Sequence, residues 1–460
     1  MLGSLEDFLS IPVDNFWFNP KYKMGIWDGK IRFLNKGRIL IGLLPIVIQY
    51  FKDHNYPFEL DPGISFTPLK IDIKHFLNVT KKSFKENFIP NTHQMRGAYL
   101  AICNRRGILS HCTSSGKTFT AWVILNFLLN QGHIKNALII VPRTSLVEQS
   151  VKEFISYGCD PNEIGRFYGE VKEPNKTIIV STWQSLKNEN PTTNEILNST
   201  EGFILDECHS GKAAAVKKVL ERCKNAKWRL GVTGTMPDNR ADLYTIKGLT
   251  GEILDRVKSK ELQEKGIISK LKLKILFLSY KDKSLFNNIE DFIQERDTLE
   301  LNEKRNHMIN VLANNYIKKG KNVLVLYEHK KHGDLLEEGI DDSDCSKVFR
   351  IDGSVATKER EIAREYANQN DNTLILASYG VYSTGVNIKN LHVIIFASAG
   401  KAKIRLLQSI GRGLRKHPNK NHLLLFDIAD DFKYSKKHLE KRLEYYSNEE
   451  YDIDMSEIKI

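Results

Sequence analysis

Cysteine is scarce in this sequence. The chain of 460 residues contains only six cysteines. No two of them form a C-x-x-C pair, and no group of cysteines and histidines has the spacing of zinc ligands. The pattern argues against a disulfide scaffold and a zinc ribbon, and it favours a protein with reduced thiols in the cytosol.

Long apolar runs are also missing. The first seven residues lack the cationic start and apolar core of a signal peptide. The longest apolar stretch near the N-terminus, residues 39–48, is too short to span a bilayer and contains Gly42 and Pro45. We therefore expect a soluble protein that works in the cytoplasm and has no membrane partner.

Negative charge is in deficit. Lysine and arginine number 68 against 56 aspartates and glutamates, which gives a formal net charge of +12. A basic surface attracts polyanions, because each neutralised phosphate releases counterions. The excess favours a nucleic-acid partner without establishing one, since many basic proteins bind none.

Short apolar runs alternate with helical patterns from about residue 86 onwards. The runs that we predict to be buried strands are residues 108–109, 138–141, 178–180, 203–205 and 230–232 and, after a charged connector at about 258–272, residues 323–326, 348–351, 374–377, 393–396 and 423–426. Helical patterns such as residues 119–129 and 145–157 separate them. The predicted fold class is therefore α/β, with two tandem doubly wound parallel-sheet lobes and a small N-terminal α+β domain.

Changes in composition set the predicted domain boundaries. The regions are an N-terminal domain at 1–85, a first lobe at 86–257, a second lobe at 258–430 and a charged, mainly helical tail at 431–460. Turn signals occur at Asn19-Pro20 and Asp28-Gly29, and the second of them is typical of a hairpin. Residues 38–50 are predicted to be helical.

A run of small residues between a predicted strand and a predicted helix has the pattern of a phosphate-binding loop. Its sequence is His111-Cys112-Thr113-Ser114-Ser115-Gly116-Lys117-Thr118. Small residues let backbone N–H groups surround phosphate oxygens, and the helix N-terminus adds a favourable dipole. Lys117 would neutralise the phosphates of ATP and Thr118 would ligate Mg²⁺. Because His111 replaces the usual first glycine, the loop alone is a weak indication.

Two adjacent carboxylates close the apolar run at residues 203–205. Asp206 is predicted to ligate Mg²⁺ and Glu207 to orient the attacking water, since ligands of open α/β sheets bind at the carboxyl ends of strands. The alternative is a solvated acidic turn, which the buried strand before the pair disfavours. His209 is predicted to couple the nucleotide to the next motif, with a purely structural role as the alternative.

A third motif lies in the second lobe, with the sequence Gln408-Ser409-Ile410-Gly411-Arg412-Gly413-Leu414-Arg415. Arg412 and Arg415 are three residues apart, so on a helix they share one face. Either guanidinium would stabilise charge on the γ-phosphate, an effect worth about 10³–10⁵ in rate. The alternative is a solvated basic helix end.

In this order and on two predicted sheets, the three motifs resemble superfamily-2 helicases of the DExH type. The resemblance covers about residues 86–430 and implies two RecA-like lobes that use ATP and Mg²⁺. It implies nucleotide contacts by Gln94, Thr113, Ser114, Ser115, Gly116 and Gly385. It implies coupling of hydrolysis to movement by His209, Thr233, Thr235 and Gln408. It implies contacts to a nucleic-acid strand by Arg143, Thr144, Thr182, Gln184 and Thr384.

Within that superfamily the sequence resembles the recombination and branch-migration helicases of T-even phages, both in the motifs and in residues 18–30. The resemblance implies a 3′-to-5′ DNA helicase that remodels Holliday junctions, D-loops, R-loops and stalled forks in recombination, repair and replication restart. The implied partners are single-stranded, duplex and branched DNA, RNA in R-loops, and phage recombination and replication proteins in the host cytoplasm. Thr118, Thr233 and Thr235 stand where that family has serine, which keeps the hydroxyls. The tail from residue 431 matches poorly.

The N-terminal region supplies further candidate DNA contacts. Lys21, Lys23 and Lys30 stand beside Tyr22, Trp27 and Arg32, and together these residues would form a basic, aromatic surface for duplex DNA. For Phe16, Phe18 and Trp27, the alternative is that they fill the core of the small domain.

Two other functions stay open on the sequence. An RNA helicase of the DExH type shares the motor, although His209 and Gly413-Leu414-Arg415 differ from the forms typical of DEAD-box RNA helicases. A non-catalytic nucleic-acid-binding scaffold is the other alternative, and the intact Lys117 and Asp206 argue against it. No nuclease signature supports a restriction-type translocase subunit.

Overall fold

The computed structural model describes residues 2–61, 63–64, 67–84, 89–212, 214–282, 284, 289–382, 388–398, 400 and 402–460, without the side chains of residues 2, 212, 357 and 403–405. Backbone contacts divide the chain into two units. Unit 1 comprises Met1–Cys112 and Gly116–Val257, and unit 2 comprises Thr113–Ser115 and Lys258–Ile460. Among the described helices, none combines the length and the apolar character that a membrane crossing needs.

The N-terminal part of unit 1 is a layer of short elements. In chain order they are α1 (Leu2–Phe8), β1 (Ser10–Pro12), α2 (Pro20–Lys23), β2 (Lys30–Arg32) and α3 (Leu44–Asp53), with 3₁₀ turns at Phe16–Phe18 and Ile41–Leu43. The next helices, α4 (Ile73–Lys82) and α5 (Thr92–Asn104), belong to the core of the large sheet that follows. β1 and β2 pair antiparallel. The hairpin prediction for Asp28-Gly29 is wrong, because these residues do not join two paired strands. Asp28 instead accepts hydrogen bonds from the Lys30 N–H and the Arg32 guanidinium.

The rest of unit 1 is an eight-stranded sheet with helices on its faces. Its elements are β3 (Arg106–His111), α6 (Lys117–Asn130), β4 (Ala137–Val141), α7 (Thr144–Tyr157), β5 (Ile164–Tyr168), β6 (Val171–Lys172), β7 (Ile178–Thr182), α8 (Trp183–Leu186), α9 (Pro191–Ser199), β8 (Gly202–Asp206), α10 (Ala214–Arg222), β9 (Trp228–Thr233), α11 (Arg240–Thr250) and β10 (Ile253–Val257). The strand order is β10-β3-β9-β8-β4-β7-β5-β6, and only the β5–β6 pair is antiparallel. The five strands predicted for the first lobe are β3, β4, β7, β8 and β9. Their side chains are largely buried because helices cover the sheet.

The N-terminal layer shares its core with α11. Leu9 and Val47 belong to the same apolar cluster as Tyr244. The approach is close, since a Cβ on Gly42 would stand 2.0 Å from the carbonyl oxygen of Lys247. Only glycine fits at that position without moving backbone. The layer is therefore an integral part of unit 1.

Unit 2 is built on a seven-stranded sheet. Its elements are α12 (Ser259–Glu264), β11 (Lys270–Ser279), α13 (Phe292–Glu300), α14 (Glu303–Ile317), β12 (Val323–Tyr327), α15 (Lys330–Glu338), β13 (Lys347–Ile351), α16 (Thr357–Gln369), β14 (Thr373–Ser378), α17 (Tyr379–Tyr382), β15 (Val393–Phe396), α18 (Lys403–Gly413), β16 (His422–Asp430), α19 (Lys433–Asn448) and β17 (Ile453–Lys459). The strand order is β13-β14-β12-β15-β16-β11-β17, and the neighbouring pairs are parallel. The five strands predicted for the second lobe are β12 to β16.

Two strands of this sheet lie where the sequence predicts none. β11 begins inside the predicted charged connector, where Lys270, Lys272 and Lys274 alternate with apolar residues that turn to the core. The tail beyond residue 430 contains the expected helix, α19, and also β17, which pairs with β11. The tail is therefore part of the sheet of unit 2.

A buried ion pair holds α19 to this sheet. Nε of Arg442 donates to Oδ2 of Asp427 at 2.8 Å, and the Tyr446 hydroxyl donates to the same oxygen at 2.7 Å. Arg442 and Asp427 are 1% and 0% exposed. Because each charge is desolvated, neither is tolerated without the other.

Replacing Arg442 by Met is expected to lower the free energy of unfolding by about 3–5 kcal/mol, since Asp427 would stay buried without its counter-charge. Urea denaturation of the full chain, followed by circular dichroism, measures the change. Lys437→Met, at an exposed position of the same helix, is the matched control and is expected to change stability by less than about 0.5 kcal/mol. Equal stability of the two variants would contradict the assignment.

Candidate functional site

Three strands that carry predicted motifs are neighbours in the first sheet. β9 lies between β3 and β8, and all three run parallel. β3 ends at His111, before the phosphate loop, while β8 ends at Asp206 and β9 at Thr233. Since neighbouring strands are about 4.8 Å apart, segments far apart in sequence meet at one edge of the sheet.

The phosphate loop leaves β3 and enters α6 at Lys117. Ser114 has a φ of 70° and Gly116 a φ of 85°, both in the left-handed region that turns the chain sharply. Nζ of Lys117 donates to the carbonyl oxygens of His111 and Cys112, at 3.3 and 3.4 Å. These contacts are long, so the ammonium can exchange them for the oxygens of an anion at the N-terminus of α6.

Gln94 lies against this loop. Its Oε1 accepts the Asn91 N–H at 2.9 Å, as part of the capping box that begins α5. A Cβ on Gly116 would stand 2.1 Å from Nε2 of Gln94. Glycine at 116 is thus required by the close approach as well as by its φ. The structure brings Gln94 to the phosphate loop as expected, and its reading of adenine stays a prediction.

His111, in the place of the usual first glycine, anchors the start of the loop. Its Nε2 lies 3.0 Å from Oδ2 of Asp255, and Arg96 pairs with the same carboxylate at 2.9 Å. Burial raises the pKa of Asp255, but the hydrogen bonds from His111 and Arg96 outweigh it and hold the pKa below its usual value. Sequence reasoning missed Asp255, because it is 144 residues from His111 and belongs to no motif.

The carboxylates of Asp206 and Glu207 lie together at the end of β8. Oδ1 of Asp206 accepts the Glu207 N–H at 2.9 Å, and Glu207 has a φ of 48°. Burial and then the charge of Glu207 raise the pKa of Asp206 to about 7, against the opposing effect of Lys117. A carboxylate that is costly to ionise favours a bound cation. With the hydroxyl of Thr118, Asp206 offers the oxygen ligands that Mg²⁺ prefers, so these residues fit a magnesium ion.

Hydrogen bonds connect Glu207 to the end of β9. Nδ1 of His209 lies 2.9 Å from Oγ1 of Thr233 and 3.3 Å from Oε2 of Glu207. Oγ1 of Thr233 lies 3.3 Å from the same Oε2 and 3.0 Å from the carbonyl oxygen of Thr235. The hydroxyl has a single proton, so with Nδ1 of His209 as a donor to it, it donates either to Glu207 or to Thr235. This geometry suits the predicted coupling by His209, Thr233 and Thr235.

The candidate strand contacts of the first lobe follow two adjacent strands, β4 and β7. Arg143, Thr144 and Gln184 are exposed at the ends of these strands, and Nε2 of Gln184 donates to the Pro142 carbonyl oxygen at 3.4 Å. Thr182 differs, since it is 2% exposed and its hydroxyl oxygen accepts the Ser185 N–H and so caps α8. Thr182 thus shapes the loop, and its contact to DNA stays a prediction like those of the other three.

The two predicted arginines lie at the end of α18. The helix ends at Gly413, so Arg412 is helical and Arg415 lies beyond it, which makes the expected shared helical face wrong. The reason is that the ammonium of Lys420 donates to the Gly413 carbonyl oxygen at 2.7 Å, while the Leu414 carbonyl accepts another N–H. Lys420 is buried, which lowers its pKa to about 7. No motif of the sequence pointed to it.

The guanidinium groups of Arg412 and Arg415 both form hydrogen bonds within unit 2, which includes residues 113–115. Arg412 donates to the Tyr382 carbonyl oxygen at 3.2 Å, and Nε of Arg415 donates to the Ser114 hydroxyl at 3.3 Å. Gln408 lies in α18, where it is partly buried. Thr384 and Gly385 lie outside the described residues.

The candidate residues of the N-terminal layer differ in their exposure to solvent. Lys21, Lys23 and Lys30 are exposed, as DNA contacts must be. The alternative of a core role is wrong for Phe18, which is 69% exposed. Phe16 is partly buried, and a Cβ on Gly29 would stand 2.4 Å from its ring.

Three protein-family models match the chain. They are the N-terminal part of the DNA helicase UvsW at residues 1–61, the res subunit of type III restriction enzymes at residues 76–238, and the conserved C-terminal domain of helicases at residues 303–417. The matches fall on the N-terminal layer and on both sheets.

Known proteins show the same likeness. The chain is 29% identical to the ATP-dependent DNA helicase uvsW of Enterobacteria phage T4, over 99% of this chain and 95% of that protein. It is 26% identical to a putative ATP-dependent RNA helicase, L396, of Acanthamoeba polyphaga mimivirus, over 75% of this chain and 64% of that protein. The crystal structure of T4 UvsW matches with a TM-score of 0.51 and 28% identity, over 99% of this chain and 95% of that one. The predicted fold class, with two RecA-like lobes and an N-terminal domain, is confirmed.

Replacing Asp206 by Asn is expected to raise the thermal midpoint of the nucleotide-free, metal-free protein at pH 8. The raised pKa means that the folded state gains stability from a proton on Asp206. That gain is complete below about pH 3.8 and is lost as the pH rises through about 7. The cost at pH 8 is on the order of 1 kcal/mol for each pKa unit, and Asn removes it.

Thermal unfolding in EDTA across pH 4–8 measures this effect. The difference between variant and wild type should be largest above pH 7 and should close towards pH 4. Glu189→Gln, at an exposed carboxylate of the same unit, should show no such difference. A midpoint of Asp206→Asn that lies at or below the wild type at pH 8 would refute the electrostatic assignment.

Proposed function

The chain belongs to the superfamily-2 helicases, and from that premise we propose that it is an ATP-driven DNA helicase that unwinds or migrates branched DNA. Its proposed substrates are Holliday junctions, D-loops, R-loops and stalled forks, in recombination, repair and replication restart. One observation supports this proposal most. The layer that matches the N-terminal part of UvsW shares its core with α11, a helix of the same unit that carries the phosphate loop and the DExH carboxylates. We place this work in the cytoplasm, with phage recombination and replication proteins as partners.

The first lobe would hold ATP at the edge where β3 and β8 end. Lys117 would exchange the carbonyl oxygens of its own loop for phosphate oxygens. Asp206 and Thr118 would hold Mg²⁺, which neutralises phosphate charge when bound. Glu207 would orient the attacking water and accept its proton, since its carboxylate lies at the strand end beside Asp206.

The link from Glu207 to Thr233 gives this step a mechanical consequence. While the Glu207 carboxylate accepts from the Thr233 hydroxyl, that proton is unavailable to the Thr235 carbonyl. When Glu207 turns to the water, the Thr233 hydroxyl is released to Thr235. The conformation of the loop after β9 would thereby depend on whether the attacking water is in place. His209 contacts the side chains of both Glu207 and Thr233.

Unit 2 would contribute positive charge and part of the grip on DNA. Arg415 is proposed to stabilise charge on the γ-phosphate, as the resemblance to superfamily-2 helicases implies for this motif. Arg412 is proposed to assist Arg415 in stabilising this charge. Gln408 is proposed to couple hydrolysis to movement, and Gly385 is proposed to contact the nucleotide. The exposed Arg143, Thr144 and Gln184, with Thr182 and Thr384, would hold backbone phosphates and would not read sequence.

Lys117→Ala is expected to lower DNA-stimulated ATP hydrolysis by at least about 100-fold, because the developing phosphate charge loses its counter-ion. Forked DNA should still bind with nearly unchanged affinity, since Lys117 is not a proposed DNA contact. Steady-state phosphate release and fluorescence anisotropy measure the two effects. Lys152→Ala, at an exposed position on α7, is the control and should keep full activity. Undiminished turnover by Lys117→Ala would refute the assigned site.

The substrate proposal predicts that ATP-dependent unwinding is faster on Holliday junctions, forks and R-loops than on a blunt linear duplex of equal length. Strand separation on this panel is measured by native gel electrophoresis with wild-type protein and with Lys117→Ala as the inactive control. An RNA duplex with a single-stranded tail belongs in the same panel, since a relative carries the name of an RNA helicase. Preference for that substrate, or equal rates on linear and branched DNA, would reject the proposal.

A further inference from the structure

The N-terminal layer has an apolar projection that its own core does not use. We call residues 16–27 the aromatic tip, which comprises the 3₁₀ turn at Phe16–Phe18, α2 and the turn that follows. Its strongly exposed apolar side chains are Trp17 at 50%, Phe18 at 69%, Met24 at 63% and Ile26 at 70%. Among the described residues, the core cluster around Leu9 and Tyr244 includes no member of the tip.

The exposure of these side chains is built into the fold of the tip. Asn19 caps α2 by accepting the Lys21 N–H at 3.0 Å, and the N–H groups of Ile26 and Trp27 return to the Lys21 carbonyl oxygen at 2.9 and 3.2 Å. Nε1 of Trp27 donates to the Lys30 carbonyl oxygen at 2.8 Å. Local hydrogen bonds thus fix the backbone, and the apolar side chains are held outwards. Such a patch marks a binding surface.

The inside of the tip is formed by one ring. Phe16 contacts Tyr22 edge to face, with ring centroids 4.6 Å apart, and packs on Gly29. Trp17 packs edge to face on Phe16, with ring centroids 5.3 Å apart, yet stays 50% exposed, and Phe18 is 69% exposed. The rings of Trp17 and Phe18 are tilted by 49° with centroids 6.0 Å apart. Because the two rings do not stack on each other, each can offer a face to a planar ligand.

The charge around these rings is positive. Residues 15–27 contain Lys21 and Lys23 and no acidic residue, and Lys30 follows. Within the described part of the chain, none of these lysines forms an ion pair. The nearest following carboxylate, Asp28, is paired with Arg32 at 2.5 Å. Aromatic rings beside uncompensated cations match a ligand that combines flat π-surfaces with negative charge.

We propose that the aromatic tip binds unpaired bases of branched DNA, with Trp17 and Phe18 stacking on bases and Lys21 and Lys23 contacting the phosphates between them. This inference rests on the proposed function and names the part of the substrate that the N-terminal layer recognises. The bases of a duplex hide their faces from a protein, whereas a single-stranded arm or a branch point exposes them. The tip therefore distinguishes branched from linear DNA without reading sequence.

The main test uses the full-length double variant Trp17→Ala/Phe18→Ala and a fork with single-stranded arms. Stacking on alanine is lost, so the affinity for the fork is expected to fall by about 5- to 100-fold, as for other stacking platforms. Affinity for a blunt duplex should not change. A 2-aminopurine in one arm should be quenched by wild-type protein and not by the variant. Phe18→Tyr, which keeps a ring, should retain binding and quenching.

Two further variants separate stacking from charge and from general exposure. Lys21→Gln/Lys23→Gln should reduce the slope of log affinity against log salt on the fork by about 0.7 for each lost phosphate contact, whereas Trp17→Ala/Phe18→Ala should leave that slope unchanged. Ile293→Ala/Ile362→Ala removes two exposed apolar side chains of unit 2, at 55% and 53% exposure, and should bind the fork as wild type does.

The inference is overturned if the double variant binds the fork like wild type, if it loses fork and blunt-duplex affinity equally, or if 2-aminopurine is not quenched by wild-type protein. Unwinding of the branched panel by wild-type protein is measured on the same preparations. Absence of unwinding while the stacking result holds rejects the proposed function alone. Unwinding with no effect of Trp17→Ala/Phe18→Ala rejects the inference alone.

Discussion

Parallel strands that are neighbours end at the same edge of a sheet, and the candidate nucleotide site depends on this constraint. β9 lies between β3 and β8, so the hydroxyl of Thr233 stands between the phosphate loop and the carboxylates of Asp206 and Glu207. The hydrogen bonds among Glu207, His209 and Thr233 follow from that order. With β9 elsewhere in the sheet, Thr233 would still follow a buried strand in sequence but would not contact Glu207 and His209.

Several features that destabilise the folded state occur together at this edge of the sheet. Burial and a neighbouring carboxylate raise the pKa of Asp206, and two non-glycine residues, Ser114 and Glu207, have left-handed backbone conformations. Each feature opposes folding in the absence of ligand, and the surrounding sheet must stabilise it. Features of this kind cluster where a protein binds charge or performs chemistry. The loop and the carboxylates combine these features at one place, where the three strands β3, β9 and β8 end.

Apolar runs and local motifs predicted much of this arrangement, because β3, β4, β7, β8 and β9 of unit 1 and β12, β14, β15 and β16 of unit 2 are largely buried and read as continuous apolar segments. The partners of the motifs were not predictable. Asp255 contacts His111, which is distant in sequence, and Lys420 donates to a backbone carbonyl oxygen, so neither has a sequence signature. β11 was missed because alternating lysines resemble a charged linker. Phe18 reverses the usual burial tendency of phenylalanine. The roles of individual site residues stay predictions.

The position of the N-terminal layer connects the nucleotide edge to the aromatic tip. The loop that follows Thr233 and Thr235 leads directly into α11, which begins at Arg240. α11 in turn shares a core with the layer, and the contact at Gly42 leaves no room for a methyl group. If the loop shifts in the proposed coupling, α11 is the element that follows it in the chain, and the layer is packed directly against α11. Packed contacts of this kind transmit small displacements, because a close-packed interior has little free volume to absorb them. Within unit 1 alone, packed elements thus lie between the hydrogen bond of Glu207 and the layer that carries the aromatic tip, and the proposed coupling would act through them.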